Sequence, residues 1–337
     1  MARRIIPKQK KKYQELNKRL NKYSMLVQSL YERIAASLAS TAARSNYIGE
    51  KPISLRDYPD IRKSLDEAQV VFAQEMQAVI MRGTSAEWKE SNLVQDLLAD
   101  GALKMYKGLI SGEKAEIYYQ TNSDALKAFQ SRKQRGLNLS QMIWNQSAEM
   151  QDEMLHCLSA SIEKGISAVT LSKRMSKYLV DFDKLKNDYK ERYGKAVACK
   201  DCEYRSMRLA RSEINMAYRT AEQMRWQQMD FIVGYEIKTT SNPNHVSDIC
   251  DLLAGKYPLS FKWTGWHPNC RCYTVPILKK EEDFWKDDSD VERINDVPEN
   301  FKDWAVNNRD RITESTKNGT VPYFIKDNRK WLPQQKK

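Results

Sequence analysis

Apolar residues at Leu16, Leu20, Tyr23, Val27, Leu30 and Ile34 recur in steps of four and three, which places all six on one stripe of a helix. The polar and basic residues between them form an opposite face, open to packing on the rest of the chain or to pairing with a second subunit. Residues 47–57, with Gly49, Pro52 and the nearby Pro59, read as a break. Three amphipathic helices then follow over 60–82, 84–109 and 113–131, separated by Gly and Ser. Residues 139–164 predict another long helix, with Met142, Ile143, Met150, Met154, Leu155, Leu158 and Ile162 as its apolar positions. His156 and Cys157 lie on it without a second ligand at helical spacing and read as packing residues. A short helix over 170–178 and a charged segment over 181–198 lead to the longest helix of the second half, 203–229. Its stripe of Ala210, Ile214, Ala217, Ala221 and Met224 is rich in small residues that let a neighbouring helix approach closely.

After this helix the period changes. Residues 233–239 alternate in the manner of a strand, and 271–278 end a loop-rich stretch with a second strand. The expected fold is mainly α with a small α+β module toward the C-terminus: a helical N-terminal lobe, a long spine helix, and short strands around a Cys/His loop region. By sequence the chain divides into a basic amphipathic helix (1–46), a helical lobe (47–198), a Cys/His-bearing module (199–280) and an aromatic, charged tail (281–337). Trp285, Phe301, Trp304 and Pro322-Tyr-Phe-Ile give that tail too many aromatics for a disordered segment, so it is expected to dock on its own chain or on a neighbour.

Composition changes this picture in two places. With 41% hydrophobic residues and 30% charged ones, 337 residues can build real cores under a well-solvated surface, and two lobes and a tail are expected. No apolar run approaches the roughly 20 residues that cross a bilayer, and the basic N-terminus lacks the apolar core of a signal peptide, so neither membrane insertion nor export is expected. The net charge of +12 is concentrated at the start, where residues 1–46 hold eleven Lys/Arg against only Glu15 and Glu32. Arg3, Arg4, Lys8, Lys10, Lys11 and Lys12 would attract phosphate or an acidic protein surface by salt-sensitive, non-specific electrostatics, which makes them candidate nucleic-acid contacts.

Six cysteines in a long chain without a secretion signal argue for reduced thiols rather than a disulfide framework. Their clustering needs another cause. His245, Asp248, Cys250, His267, Cys270 and Cys272 fall within 28 positions, between the two predicted strands. The segment after Cys250 reads as a short helix stopped by Gly255, able to swing that thiol back toward His267-Pro-Asn-Cys-Arg-Cys272. If Cys270 and Cys272 open a strand, the two-residue period puts both thiols on one face. A tetrahedral zinc site wants four nitrogen or sulfur donors, and Cys250, His267, Cys270 and Cys272 make such a set, with His245 or Asp248 in reserve. Metal-free packing and a disulfide within the cluster remain open alternatives. Cys199-Lys-Asp-Cys202 is a second pair at zinc or redox spacing, either completing the site or standing as isolated surface thiols.

Arg211-Ser-Glu213 on the spine helix, Asp248-x-Cys250-x-x-Leu253-x-Gly255-Lys256, and His267-Pro-Asn-Cys-Arg-Cys272 closing on Pro276 resemble the phage Mu F-like head morphogenesis family over roughly residues 200–280. Relatives often carry a second cysteine three residues before the one matching Cys250; here that position is Ser247, so Asp248 or His245 would have to substitute. The resemblance implies a minor head protein, present in few copies, associated with the portal vertex and acting in head assembly and DNA delivery. Its partners would be portal and capsid proteins and packaged DNA, and its place the virion, assembled in the bacterial cytoplasm. Arg211, Glu213, Gly255 and Arg271 would be structural motif residues, with Glu213 tying the helix to the loop module through a backbone amide or Arg271.

Two other function classes bear on the same residues. An HNH-type metal-dependent nuclease would use His267 and Asn269 beside the cysteines, but it needs a general base and a divalent-metal set, and no His-His or Asp-His pair occurs. A plain DNA-binding protein has only the basic arm for support. A structural, non-enzymatic role is the expectation.

Overall fold

The predicted first stripe folds as a single long helix, α1 (Gln9–Ala42), in this computed structural model, which describes residues 6–45, 47, 49–240, 248–286 and 288–332. Leu16, Leu20, Val27, Leu30 and Ile34 are all buried, and Tyr23 is partly so. The loop that follows ends at α2 (Pro59–Met105), one continuous helix where two were expected over 60–82 and 84–109. Gly83 does not break it. A glycine inside a helix costs about 1 kcal/mol, and the polar residues beyond it are engaged: Glu87 is buried and receives Arg19 Nε and Nη2, each at 2.8 Å. Asn92 and Gln95, on later turns, accept from Arg225 at 2.9 Å and from the Trp226 indole at 2.7 Å.

The helix expected over 113–131 is divided into α3 (Gly112–Tyr118) and α4 (Ser123–Ser131). Asn122 takes φ +54° between them, a left-handed conformation that Asn tolerates better than most residues. The break is held from outside the segment, since the Thr121 carbonyl accepts the Trp88 indole at 2.9 Å. Helix α5 (Leu139–Ser161) starts at a capping box between Asn138 and Gln141. Then come α6 (Ala168–Val180) and α7 (Phe182–Tyr193); the latter occupies the stretch read only as charged. Its inward residues, Leu185 and Tyr189, are four apart, and the chain leaves it through Gly194 at φ +65°.

The spine helix is α8 (Cys202–Gln228). It leads into a three-stranded antiparallel sheet of β1 (Ile232–Lys238), β2 (Gly255–Tyr257) and β3 (Tyr273–Leu278), in the order β2-β1-β3. Strand β2 was not expected, because three residues are too few for a period to register. A one-turn helix, α9 (Ile249–Leu252), precedes it, so the helix ends before Gly255, and Gly255 pairs with Ile237 in the sheet. Gly234 sits at the bulge between β1 and β3, where a Cβ would come within 2.5 Å of Ile294. The tail supplies α10 (Glu299–Asn307), α11 (Arg309–Lys317) and α12 (Tyr323–Lys326). None of the helices among the described residues is long and apolar enough to cross a membrane.

The chain forms two compact units, each discontinuous in sequence, and their boundaries fall within α1, α2, α4 and α8 rather than at the ends of the sequence segments 1–46, 47–198, 199–280 and 281–337. One unit, Asn21–Arg82 with Ser131–Arg211, packs Leu30, Ile34 and Leu38 with Phe72, Met76, Met150, Met154 and Leu158. Cys157 is buried in that core, while the His156 ring lies against Tyr189 at 4.9 Å. The other unit, Met1–Leu20 with Gly83–Gln130 and Ser212–Lys337, holds the sheet and an aromatic core. Phe301 of α10 meets Phe261 edge-on at 5.2 Å, and Phe324 of α12 meets Trp266 at 5.0 Å. The tail therefore docks on its own chain, although Trp285 is 76% exposed.

Candidate metal centre

Local chemistry brings the distant cysteines together. Asp248 is the N-cap of α9, its Oδ1 accepting the backbone N–H of Cys250 at 2.7 Å, which aims the first turn and the Cys250 thiol. On the other side, Cys270 donates its N–H to the His267 carbonyl at 3.2 Å, with Asn269 at φ +62° between them. Pro at the second position and a left-handed Asn at the third is the residue pattern of a type II turn. That turn delivers Cys270 and Cys272 just ahead of β3, rather than on the strand itself.

All three thiols are buried, and their sulfurs lie within 4.8 Å of one another. Cys250 Sγ is 3.8 Å from Cys270 Sγ and 3.0 Å from His267 Nε2. Zinc–sulfur bonds of about 2.3 Å at a tetrahedral angle give a sulfur–sulfur edge of about 3.8 Å, so the first distance already fits a shared ion. His267 belongs to a second group, with Cys250 and Asp248, whose Oδ2 is 3.5 Å from His267 Nε2. Cys250 is thus common to both groups. The imidazole is oriented at its other nitrogen, since Nδ1 lies 2.7 Å from the Pro268 carbonyl and donates to it, leaving Nε2 free to ligate. The arrangement can hold a metal ion on three sulfurs, with the half-exposed His267 and Asp248 on its outer side.

Electrostatics divide the thiols. Burial opposes ionisation of Cys270, yet the hydrogen bonds with Cys250 and Cys272 and the nearby Arg219 guanidinium outweigh it and hold that thiol well below its ordinary range. Cys250, hydrogen-bonded to Cys270 and Cys272 and partly desolvated, is pushed up instead. A buried thiol whose ionisation is favoured by two neighbouring thiols and a guanidinium is chemistry that suits a bound cation.

The spine helix supports this loop through residues that spacing did not single out. Arg219 donates Nη1 to the Thr264 carbonyl at 2.9 Å and Nη2 to the Cys270 and Cys272 carbonyls, each at 2.8 Å. Asn215 donates to the Cys270 carbonyl at 3.2 Å, and Gln223 donates to the Phe261 carbonyl. Of the motif residues expected to join helix and loop, Glu213 is buried and Arg271 is exposed. The available signal was a row of Asn, Arg and Gln between the alanines of a helix too apolar on that side to be a solvated face. Arg211 donates to Asn21 at 2.6 Å, within the other unit.

The remaining candidates lie elsewhere. His245 falls outside the described residues, as do Arg3 and Arg4. Lys8, Lys10 and Lys11 are exposed, and Lys12 is half-buried beside Glu15 at 3.4 Å. Cys199 and Cys202 join neither donor group among the described residues, and Cys202 is no surface thiol: it is buried, with Sγ 3.3 Å from the Gln146 carbonyl. Burial pushes both of these thiols up to about 12, the opposite of a reactive cysteine pair. Comparison of the chain with protein-family models, curated proteins and solved structures finds no match, so the centre is characterised by its own geometry.

Proposed function

We propose that this chain is a minor head protein of a tailed bacteriophage, associated with the portal vertex, whose Cys/His module is a structural zinc centre rather than an active site. The observation that carries the reading is the mechanical role of the motif residues. Asp248 caps the turn bearing Cys250, Pro268 and Asn269 make the turn bearing Cys270, and Cys272 completes a buried sulfur set. A motif that reads as a device for closing one loop on another is what a particle component needs, because metal binding stabilises a loop-rich region that buries little surface. Three sulfurs with an imidazole favour zinc over the hard, oxygen-liganded magnesium of a nuclease.

On this reading the partners are portal and capsid proteins, and the exposed Lys8, Lys10 and Lys11 add a non-specific contact to packaged DNA. The test is particle-level. Heads purified through a density gradient from the source culture should contain the chain at few copies relative to the major capsid protein. Its presence only in the soluble fraction, or magnesium-dependent nicking of plasmid DNA lost in His267→Ala, would overturn the assignment.

A further inference from the structure

We propose that Arg219 is the positioning and counter-charge residue of the metal centre, an inference that rests on reading the Cys/His cluster as a zinc site. Arg219 lies on α8, 51 residues from Cys270, and is only 2% exposed. Its guanidinium makes three hydrogen bonds, all to main-chain carbonyls of the cysteine loop: Thr264, Cys270 and Cys272. Its plane is further held by the Trp263 ring, 4.4 Å from the guanidinium carbon.

Cys270 and Cys272 lie two residues apart just ahead of β3, and their sulfurs belong to one buried group. One nitrogen that reaches both the Cys270 and Cys272 carbonyls at 2.8 Å therefore fixes both peptide planes and keeps both thiols on one face. The fork of a guanidinium can do this while its other nitrogen holds Thr264; a lysine, with one compact ammonium, cannot hold the three carbonyls in the same plane.

Charge gives the second argument. No carboxylate lies within salt-bridge distance of Arg219 among the described residues; the buried Glu222, one turn along α8, senses its charge but accepts hydrogen bonds from Tyr13 and Thr274, and a buried cation needs compensating charge. Three thiolates around a divalent zinc with a neutral imidazole leave one net negative charge, which matches one guanidinium. The surroundings are shaped for this contact, because a Cβ on Gly265, at φ +132°, would stand 2.6 Å from Arg219 Nη1. Arg219 thus sets both the geometry of the Cys-x-Cys arm and the preference for a thiolate-rich ion.

The test compares wild type with Arg219→Met and Arg219→Lys, using zinc content, competition with a chromophoric chelator, and the absorption bands of the cobalt(II)-substituted protein. Arg219→Met should weaken zinc binding by roughly tenfold or more, the size seen when outer partners of metal ligands are removed, and should shift the cobalt bands. Arg219→Lys should recover part of the affinity without restoring the wild-type bands. If Arg219→Met does not fold, the lysine variant decides by the same two measurements. Unchanged affinity and unchanged cobalt bands in the folded variants would overturn the role of Arg219 while leaving the zinc reading intact. A wild-type chain that binds no zinc would overturn the zinc reading and this role with it.

Discussion

The carboxylate of Glu153, in the middle of α5, accepts the backbone N–H of Cys202 at 3.0 Å and, through its other oxygen, that of Glu203 at 3.1 Å. A buried acid on one helix thereby satisfies two of the unpaired donors that open the spine helix, where negative charge is also favoured by the helix dipole. Burial nevertheless dominates: it raises Glu153 from the usual 4.5 to about 8, against the two N–H bonds that lower it.

That relationship makes stability depend on pH in a defined sense. The folded chain holds the Glu153 proton more tightly than the unfolded chain, so its contribution is greatest below about 4.5 and is lost as pH rises toward about 8. Glu203, raised to about 8 by burial and by Asp201, acts in the same direction. Chemical unfolding at pH 5.5 and 8.5 should show Glu153→Gln with a smaller loss of stability across this interval than wild type. Equal losses would mean that the buried carboxylate is not the titrating group.

Removing one sulfur should abolish the proposed zinc binding. Cys270→Ser, at one of the two most buried sulfurs, is expected to lose bound zinc and to melt at lower temperature than zinc-loaded wild type, and a strong chelator should bring wild type down toward the variant. His267→Ala should retain more zinc than Cys270→Ser, because His267 lies in the outer group with Asp248 and Cys250. Elemental analysis beside differential scanning calorimetry decides this, and zinc retained at wild-type level in Cys270→Ser would refute it.

Gly265→Ala is expected to destabilise the sheet-bearing unit by about 1–3 kcal/mol, the cost of holding a side chain in such a backbone conformation. The φ of +132° and the 2.6 Å approach to Arg219 Nη1 both oppose a Cβ there. Urea unfolding measures the loss, and a change below about 0.5 kcal/mol, ordinary for a surface substitution, would show that the loop relaxes away.

The docked tail should behave as core. Phe301→Ala removes a ring packed edge-on against both Tyr257 and Phe261 and should cost about 3–5 kcal/mol. Trp285→Ala, at a residue 76% exposed, should cost far less. Comparable losses for the two would contradict the packing described for α10.

Local periodicity in the sequence was enough to place the first stripe, the 139–164 helix, the spine helix and the two longer strands, because side-chain direction repeats with a fixed step within one element. The spine helix shows this well, with Ala210, Ile214, Ala217 and Ala221 all buried as their spacing implies. Where a helix ends is a weaker signal, and partners from elsewhere decided it: Arg19 and Trp226 engage the turns of α2 beyond Gly83, and Trp88 holds the break before α4. The donor set was legible as composition, but its division was not. Only the tertiary structure placed Cys250 between two groups, put Cys199 and Cys202 outside both, and brought Arg219 to the cysteine loop. The physical reason is that Arg219 binds main-chain carbonyls, which every residue carries, so nothing in the identities of Thr264, Cys270 and Cys272 marks them as its partners.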